Sequence, residues 1–493
     1  MELSKDVPTE LSDNVKSSPS SIDVAGDEAE ERRIAMANYV PGTKKEKLLV
    51  RKVDLIMIPM LWWMCVLAYV DRNNIGNAKA AGMNDSLGLD DQGYSMLISI
   101  FFIGYVVWEV PSNIVMARTR PSLYLPGLMV IWGALVTGMS QAKNSKDILV
   151  YRFFLGVVEA GFLPGVMYLM SCWYKKSEIG KRFSIFFTAL CVAGAVSGLI
   201  SGAVISGLEG TRGMEGWRWL FLIEGVLTVL TGMFAVFVLP DYPDTTRRLN
   251  LEERQLAAVR ILQDKHATTA QATRSLTSWQ SIKAAVSDLR TYFFAILYFL
   301  DNGSTTISYF IPTVLSDMGY QGVKAQWMTV PIWMVGTVFL LVLPQSSDRT
   351  GDRRWHIAGG LAMSFVSAVI SATVLNSAVR YTFICFYISG LYSTLPLILS
   401  WGSEVIGLPA EKRAVVIAMV NCIGNLSAIY GSQLWPSEDG PRYVKGFAAV
   451  AAFAGFSALL SAAGPLIFRW LPSFPTKAER ELAEEEQAAS PVE

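Results

Sequence analysis

Histidine is almost missing from this chain, with two in 493 residues. His266 and His356 stand far apart, no His, Cys, Asp and Glu come together at metal-ligand spacing, and no helix-forming stretch sets a nucleophile beside a base. Enzyme chemistry is therefore not expected, and neither a metal nor a cofactor is called for. Surplus charge is missing too: 42 Lys and Arg balance 42 Asp and Glu, which gives no reason to expect a nucleic-acid partner. Cysteines are few, and Cys65, Cys172, Cys191, Cys385 and Cys422 all lie in or beside apolar runs, so they read as packing residues and imply no extracellular disulfide framework. The first 50 residues hold no apolar core of a signal peptide. They are polar and Ser-rich, and a disordered cytoplasmic tail over 1–50 is expected.

What the chain has in quantity is apolar sequence: 52% hydrophobic residues, 14 Trp and only 17% charged residues. Runs of about 20 apolar residues, the length that crosses roughly 30 Å of hydrocarbon as helix, occur near 53–71, 93–116, 122–141, 148–170, 183–206, 217–239, 291–315, 326–344, 356–376, 380–401, 414–435 and 446–470. Lipid offers backbone groups no partner, and these runs are too long for barrel strands. The expected fold class is an all-α integral membrane protein with twelve transmembrane helices embedded in the lipid bilayer.

Lys and Arg give the orientation. The termini, the even-numbered connections and the central loop carry 31 of the 42, and the odd-numbered connections carry 10. By the positive-inside rule both termini are cytoplasmic. Asn84, in the sequon "NDS", then falls outside and is a glycosylation candidate. A polar stretch over 241–290, containing "LNLEERQLAAVRIL", divides an N-terminal six-helix half (51–240) from a C-terminal half (291–471), with a second cytoplasmic tail at 472–493. A monomer is expected.

Ionisable residues at membrane depth are costly and tend to mark a pathway. Asp71 and Arg72 end the first run, Glu109 is in the second, Arg152 and Glu159 are in the fourth, Glu224 in the sixth, Asp301 in the seventh and Glu404 at the end of the tenth. Seven residues apart, Arg152 and Glu159 share one helix face about 10 Å apart along the axis. Each needs a partner other than the other, and Asp71 and Arg72 are the candidates. Arginine suits a carboxylate through its planar fork, and a buried carboxyl suits a proton, so this set can exchange protons for an anion. The same pairs would also serve only to lock helices together. For Glu224 a structural pairing with Arg218 is the preferred reading. Tyr69 and Tyr105 are placed to hydrogen-bond a substrate or to pack, Asn421 and Asn425 share one face of the eleventh run, and Gly194, Gly198 and Gly202 form a small-residue face for close helix packing.

The strings "YVDRNNIGNA", "EVPSNI", "RFFLGVVEAGFLPG", "GWRWLFLIEG", "LPDYPDTTRRLNLEER" and "SEDGPRY" together resemble the anion:cation symporter branch of the major facilitator superfamily, and more closely its fungal allantoate, nicotinate and pantothenate permease group. The resemblance implies two six-helix halves around a central cavity that move by alternating access. It implies proton-binding roles for Asp71 and Glu159 and substrate-carboxylate roles for Arg72 and Arg152. Tyr69, Tyr105, Asn421 and Asn425 match cavity-lining positions. The charged turn "SDRTGDRR", with Asp348, Arg349 and Arg353, matches a gating loop, whereas its counterpart after the second run has Ala117 where an aspartate would stand.

The function expected on these grounds is proton-coupled uptake of a small organic anion, such as a vitamin, ureide or related acid, at the plasma membrane. Proton-exchange export of a metabolite or drug, and nutrient sensing without transport, remain the alternatives, because a fold sets no direction.

Overall fold

The computed structural model describes residues 39–246, 248–269, 277–406 and 410–470. Most of the expected N-terminal tail and all of the C-terminal one lie outside the described residues, as does the side chain of His266. Every regular element among the described residues is helical.

The first half begins with α1 (Lys44–Ala80), whose first turn is capped by Thr43 Oγ1 accepting from Glu46 N. It continues with α2 (Asp91–Arg118), α3 (Pro121–Met139), α4 (Ser145–Glu159), α5 (Phe162–Trp173), α6 (Lys176–Leu208) and α7 (Gly216–Val238). Asp90 and Asn144 cap α2 and α4 through side-chain oxygens. The polar stretch folds into α8 (Leu251–Thr269) and α9 (Ser278–Ser287). Then come α10 (Leu289–Ser304), α11 (Ile311–Asp317), α12 (Thr329–Thr350), α13 (Arg354–Thr373), α14 (Ser377–Val405), α15 (Ala410–Leu426) and α16 (Val444–Trp470).

Eleven of the expected twelve spans are present as helical segments of sufficient length and apolarity, α4 and α5 together making one of them. The seventh run is the correction. In place of one helix over 291–315 it forms α10 and α11 joined by a 3-10 segment, Thr305–Tyr309. The cause is local: the hydroxyls of Ser304, Thr305 and Thr306 bond back to the carbonyls of Leu300, Asn302 and Gly303, and Pro312 in the first turn of α11 has no N–H to carry the ladder through.

Helices pack mainly within their own half, α3 on α7, α2 on α4 and α1 on α6 in the first, α13 on α14 and α16, α12 on α14 and α10 on α15 in the second. Large apolar side chains such as Leu230, Phe234, Phe237 and Leu459 stay exposed, which suits a surface facing lipid. Within the spans, Asp71, Arg72, Glu109, Arg152, Glu159, Glu224 and Asp301 are buried, the reverse of a water-soluble bundle.

The halves meet through α6 on α12, α1 on α11 and α2 on α15. Their hydrogen bonds gather at the end where α1 finishes and α2 begins. Tyr94 donates to the Tyr309 carbonyl (2.8 Å), Ser95 to the Ser432 carbonyl (2.8 Å), and Ser437 gives its N–H and hydroxyl to the Asp91 carboxylate (2.7 and 2.6 Å). Gly194, Gly198 and Gly202 of α6 lie against Trp333, Thr329 and Trp327, so the small-residue face brings two helices of opposite halves together. At the other end α8 is fastened to the first half: Arg260, 2% exposed, donates to Glu46 (3.2 Å), to both carboxylate oxygens of Glu178 (2.6 and 2.5 Å) and to the Trp173 carbonyl (3.2 Å).

Candidate functional site: two arginines at one cavity

Consecutive residues on a helix are about 100° apart, so Asp71 and Arg72 leave α1 in different directions. Arg72 turns to α4, where its Nε donates to Glu159 Oε1 in a buried ion pair. Its guanidinium also lies over the rings of Tyr69 and Tyr105, both 4.8 Å from the ring centre, and of Phe101 at 5.3 Å. Three aromatic faces and one carboxylate thus offset the cost of burying this cation.

Arg152, 2% exposed, is held differently. Its Nη2 reaches only the Arg72 carbonyl at 3.5 Å, its Nε is buried with no acceptor, and among the described residues it has no carboxylate within ion-pair distance. The expected Asp71–Arg152 pairing is therefore not formed. Both arginines line one small cavity with Ile75, Ile98, Phe101, Phe102 and Tyr309, whose free space is about that of one water molecule. A buried guanidinium without a counter-charge costs several kcal/mol, and an anion entering here would remove that cost.

Asp71 turns the other way, to α7, and accepts from Thr228 Oγ1 at 3.1 Å. Glu224 is not paired with Arg218, correcting the expected structural pair. Arg218 instead binds Glu215 (3.0 Å) and the carbonyls of Ser140 and Ala142, and both Glu224 oxygens are buried without a partner. Six residues separate Glu224 from Arg218, about 240° of rotation beyond a full turn, which points the two side chains to different sides of α7.

The second half contributes Tyr309 to the cavity and Asn421, whose Nδ2 donates to Glu109 Oε1 at 3.1 Å. Asn425, one turn further along α15, is half-buried. Asp301 accepts from Thr394 at 2.7 Å, within the second half. In the charged turn, Arg353 bridges Asp348 (2.5 Å) and Glu404 on α14 (3.0 Å), tying the α12–α13 turn to the end of α14. His356 bonds Ser346 and the Asp352 carbonyl in that same turn. Asn84 lies half-buried in a short helix, Met83–Leu87.

Arg72, Arg152, Glu159, Tyr69 and Tyr105 thus converge, with Asp71 behind them. Sequence reasoning missed Phe101, Tyr309, Thr228 and Lys79, the last stacked on Tyr94 (4.4 Å) and Phe310 (5.3 Å) beside Asp91. Only Tyr309 had a readable signal, the hydroxyl-rich tract "GSTTISY" that interrupts the seventh run.

A helical bundle in two halves, lipid-facing outside and charged within, is the build of a multi-pass membrane transporter. The chain belongs to the Major Facilitator Superfamily, whose family profile it matches over residues 61–432. It is 32% identical over 453 residues to the MFS-type transporter cnsO of Penicillium expansum, covering 89% of this chain and 86% of that one. A protein of Agrobacterium vitis named for tartrate transport is 27% identical over 419 residues, 84% of this chain and 91% of its own length. Among solved structures, a D-xylose-proton symporter superposes with a TM-score of 0.62 at 14% identity, over 82% of this chain and 97% of that one, a likeness of fold. The chain is accordingly a membrane transporter and not an enzyme.

Proposed function

We propose that this transporter takes up a small organic carboxylate together with protons by alternating access. The observation that carries the reading is that Arg72 and Arg152 line one cavity while a single carboxylate, Glu159, is bonded to one of them. Protonating Glu159 frees the Arg72 fork, and a substrate carboxylate takes its place and reaches Arg152 as well. Tyr69, Tyr105, Asn421 and Asn425 complete the substrate surface, and Asp71 is the second proton carrier. Affinity for the anion is thereby tied to protonation, which is what coupling requires.

The two halves, 51–240 and 291–471, rock about this site, and the Asp348–Arg349–Arg353 turn latches the second one. Both termini and the 241–290 segment face the cytoplasm across the plasma membrane, so the closed end is the outer one. Asn84 then lies outside as a glycosylation site, provided Ser86 is released from Glu215 (2.7 Å). Within the family the sequence strings favour the allantoate, nicotinate and pantothenate permease group. The tartrate name of a relative adds a second carboxylate substrate to the same chemistry.

The test is uptake of labelled allantoate, nicotinate, pantothenate, tartrate and aromatic acids, at acid and neutral external pH, by cells expressing the wild type or Arg152→Ala. Accumulation that is stronger at acid pH and lost in the variant is expected. Faster loss of compound from preloaded cells, with no accumulation, would overturn uptake and make the protein an exporter.

A further inference from the structure

On the α7 side of α1 sits a second acidic group that the arginine site does not use. Thr228, which donates to Asp71, and Glu224 are four residues apart on α7 and so share the face turned to α1. Asp71 is 1% exposed and Glu224 fully buried. Asp71 Oδ1 and both Glu224 oxygens have no partner among the described residues. The Trp132 indole N–H, on α3, is buried beside Asp71 and faces its carboxyl. Three carboxyl oxygens left without a close partner at one helix junction call for an explanation, since each costs about 1–3 kcal/mol if left so.

The elements packed on α7 supply no counter-charge there. They are α3, α1 and α6. α3 contains no charged residue, and its Tyr124 is bonded to Ser112. The charged residues of α6, namely Lys176, Glu178, Lys181 and Arg182, all fall in its first two turns, leaving Cys191 as its one other ionisable group. From α1 the facing group is Asp71 itself, and Arg152 and Glu159 of α4 act on Asp71 from beyond α1. Two neighbouring carboxylates in a dry site without a cation cannot both ionise.

We propose that Glu224 and Asp71 form a carboxyl pair that holds a proton between them, making Glu224 a proton-binding residue of the transport cycle set off the substrate path. In the singly protonated pair the Glu224 O–H donates to the Asp71 carboxylate; a second proton, arriving at Asp71, neutralises the pair, and only O–H bonds form or break. Thr228 positions Asp71 for this exchange. The pairing is argued from burial, the shared α7 face and the unpartnered oxygens, and its role in transport rests on the proton-coupled reading above.

The experiment is infrared spectroscopy of the purified, lipid-reconstituted protein across a pH titration, beside uptake in cells, for the wild type, Glu224→Gln, Asp71→Asn and Thr228→Val, each checked for a wild-type melting transition. A protonated-carboxyl C=O band persisting at neutral pH is expected. Its Glu224 part should be lost in Glu224→Gln and shift in Asp71→Asn and Thr228→Val, and the Glu224→Gln pH profile of uptake should flatten. If Glu224→Gln leaves both the band and the pH profile as in wild type, the pair is wrong. If the band behaves as expected while wild-type uptake shows no pH dependence, the pair stands and proton-coupled transport falls.

Discussion

Asn421 on α15 donates to Glu109 on α2 at 3.1 Å, linking the two halves directly beyond the cluster of contacts at the closed end. Glu109 is 7% exposed and its other oxygen is buried without a partner, so the amide of Asn421 is its one hydrogen-bond donor among the described residues. Under the alternating-access mechanism proposed above, this bond has to break when the halves part at this level, which would make it a latch of one state.

Removing the donor by Asn421→Ala leaves the Glu109 carboxyl buried and unbonded, a cost of about 1–3 kcal/mol. The melting temperature of the purified protein should fall by a few degrees. Asn421→Asp should be worse at neutral pH than at acid pH, since two touching carboxyls cannot both ionise. Equal melting temperatures for Asn421→Asp at the two pH values would sink the latch.

The two arginines should respond in opposite ways to removal. Arg72→Ala strands the buried Glu159 carboxylate and should destabilise by about 3–5 kcal/mol, as breaking a buried pair does. Arg152→Ala removes a buried cation that has no carboxylate partner, so its melting temperature should hold or rise while uptake is lost. Arg152→Lys keeps the charge and loses the fork, which should raise KM roughly tenfold or more. A large drop in melting temperature for Arg152→Ala would make that residue structural.

At the end opposite the closed one, Lys52 bonds Glu253 on α8 (3.0 and 2.8 Å) and holds the Glu253 carboxyl below its usual range against the opposing effect of burial, with help from the Asn250 N–H. A depressed carboxylate contributes stability above its unfolded pKa of about 4.3 and loses it as pH falls through the folded value. The docking of α8 should therefore weaken below that range in the wild type. Glu253→Gln should remove this part of the acid sensitivity, read as melting temperature against pH in the two proteins.

Much of this architecture was legible because apolar run length and the scarcity of internal charge are both strong signals. Arg72, Arg152 and Glu159 stood out for the same reason: in a run such as "VYRFFLGVVEAGFLPG" a charge has few tolerable destinations other than a protein interior. The break in the seventh run was not legible from hydropathy, which averages over about 20 residues and is blind to three hydroxyls bonding back to their own helix. Phe101 was hidden by abundance, since with 24 Phe no single ring announces itself. The Glu224–Arg218 pairing was a misreading that helix geometry alone would have prevented.

Glycines at two kinds of crossing should separate folding from movement. Gly104 and Gly156 let α2 and α4 touch backbone to backbone inside the first half: a Cβ on Gly104 would stand 2.5 Å from the Phe153 carbonyl oxygen, and one on Gly156 would collide with that of Phe101. Neither oxygen can retreat without breaking its helix, so Gly156→Ala should lower the melting temperature sharply. Gly198 makes an equally close approach, its Cβ falling 2.7 Å from the Gln326 carbonyl oxygen, but there the neighbour belongs to the other half. If the halves move as rigid bodies, Gly198→Leu can be accommodated by keeping the closed end apart. It should leave the folded helices intact, abolish uptake and increase labelling of cysteines introduced at Ser95 or Ser432 by a membrane-impermeant reagent. Loss of folding in Gly198→Leu comparable to that in Gly156→Ala would mean that the α6–α12 contact is fixed and does not open.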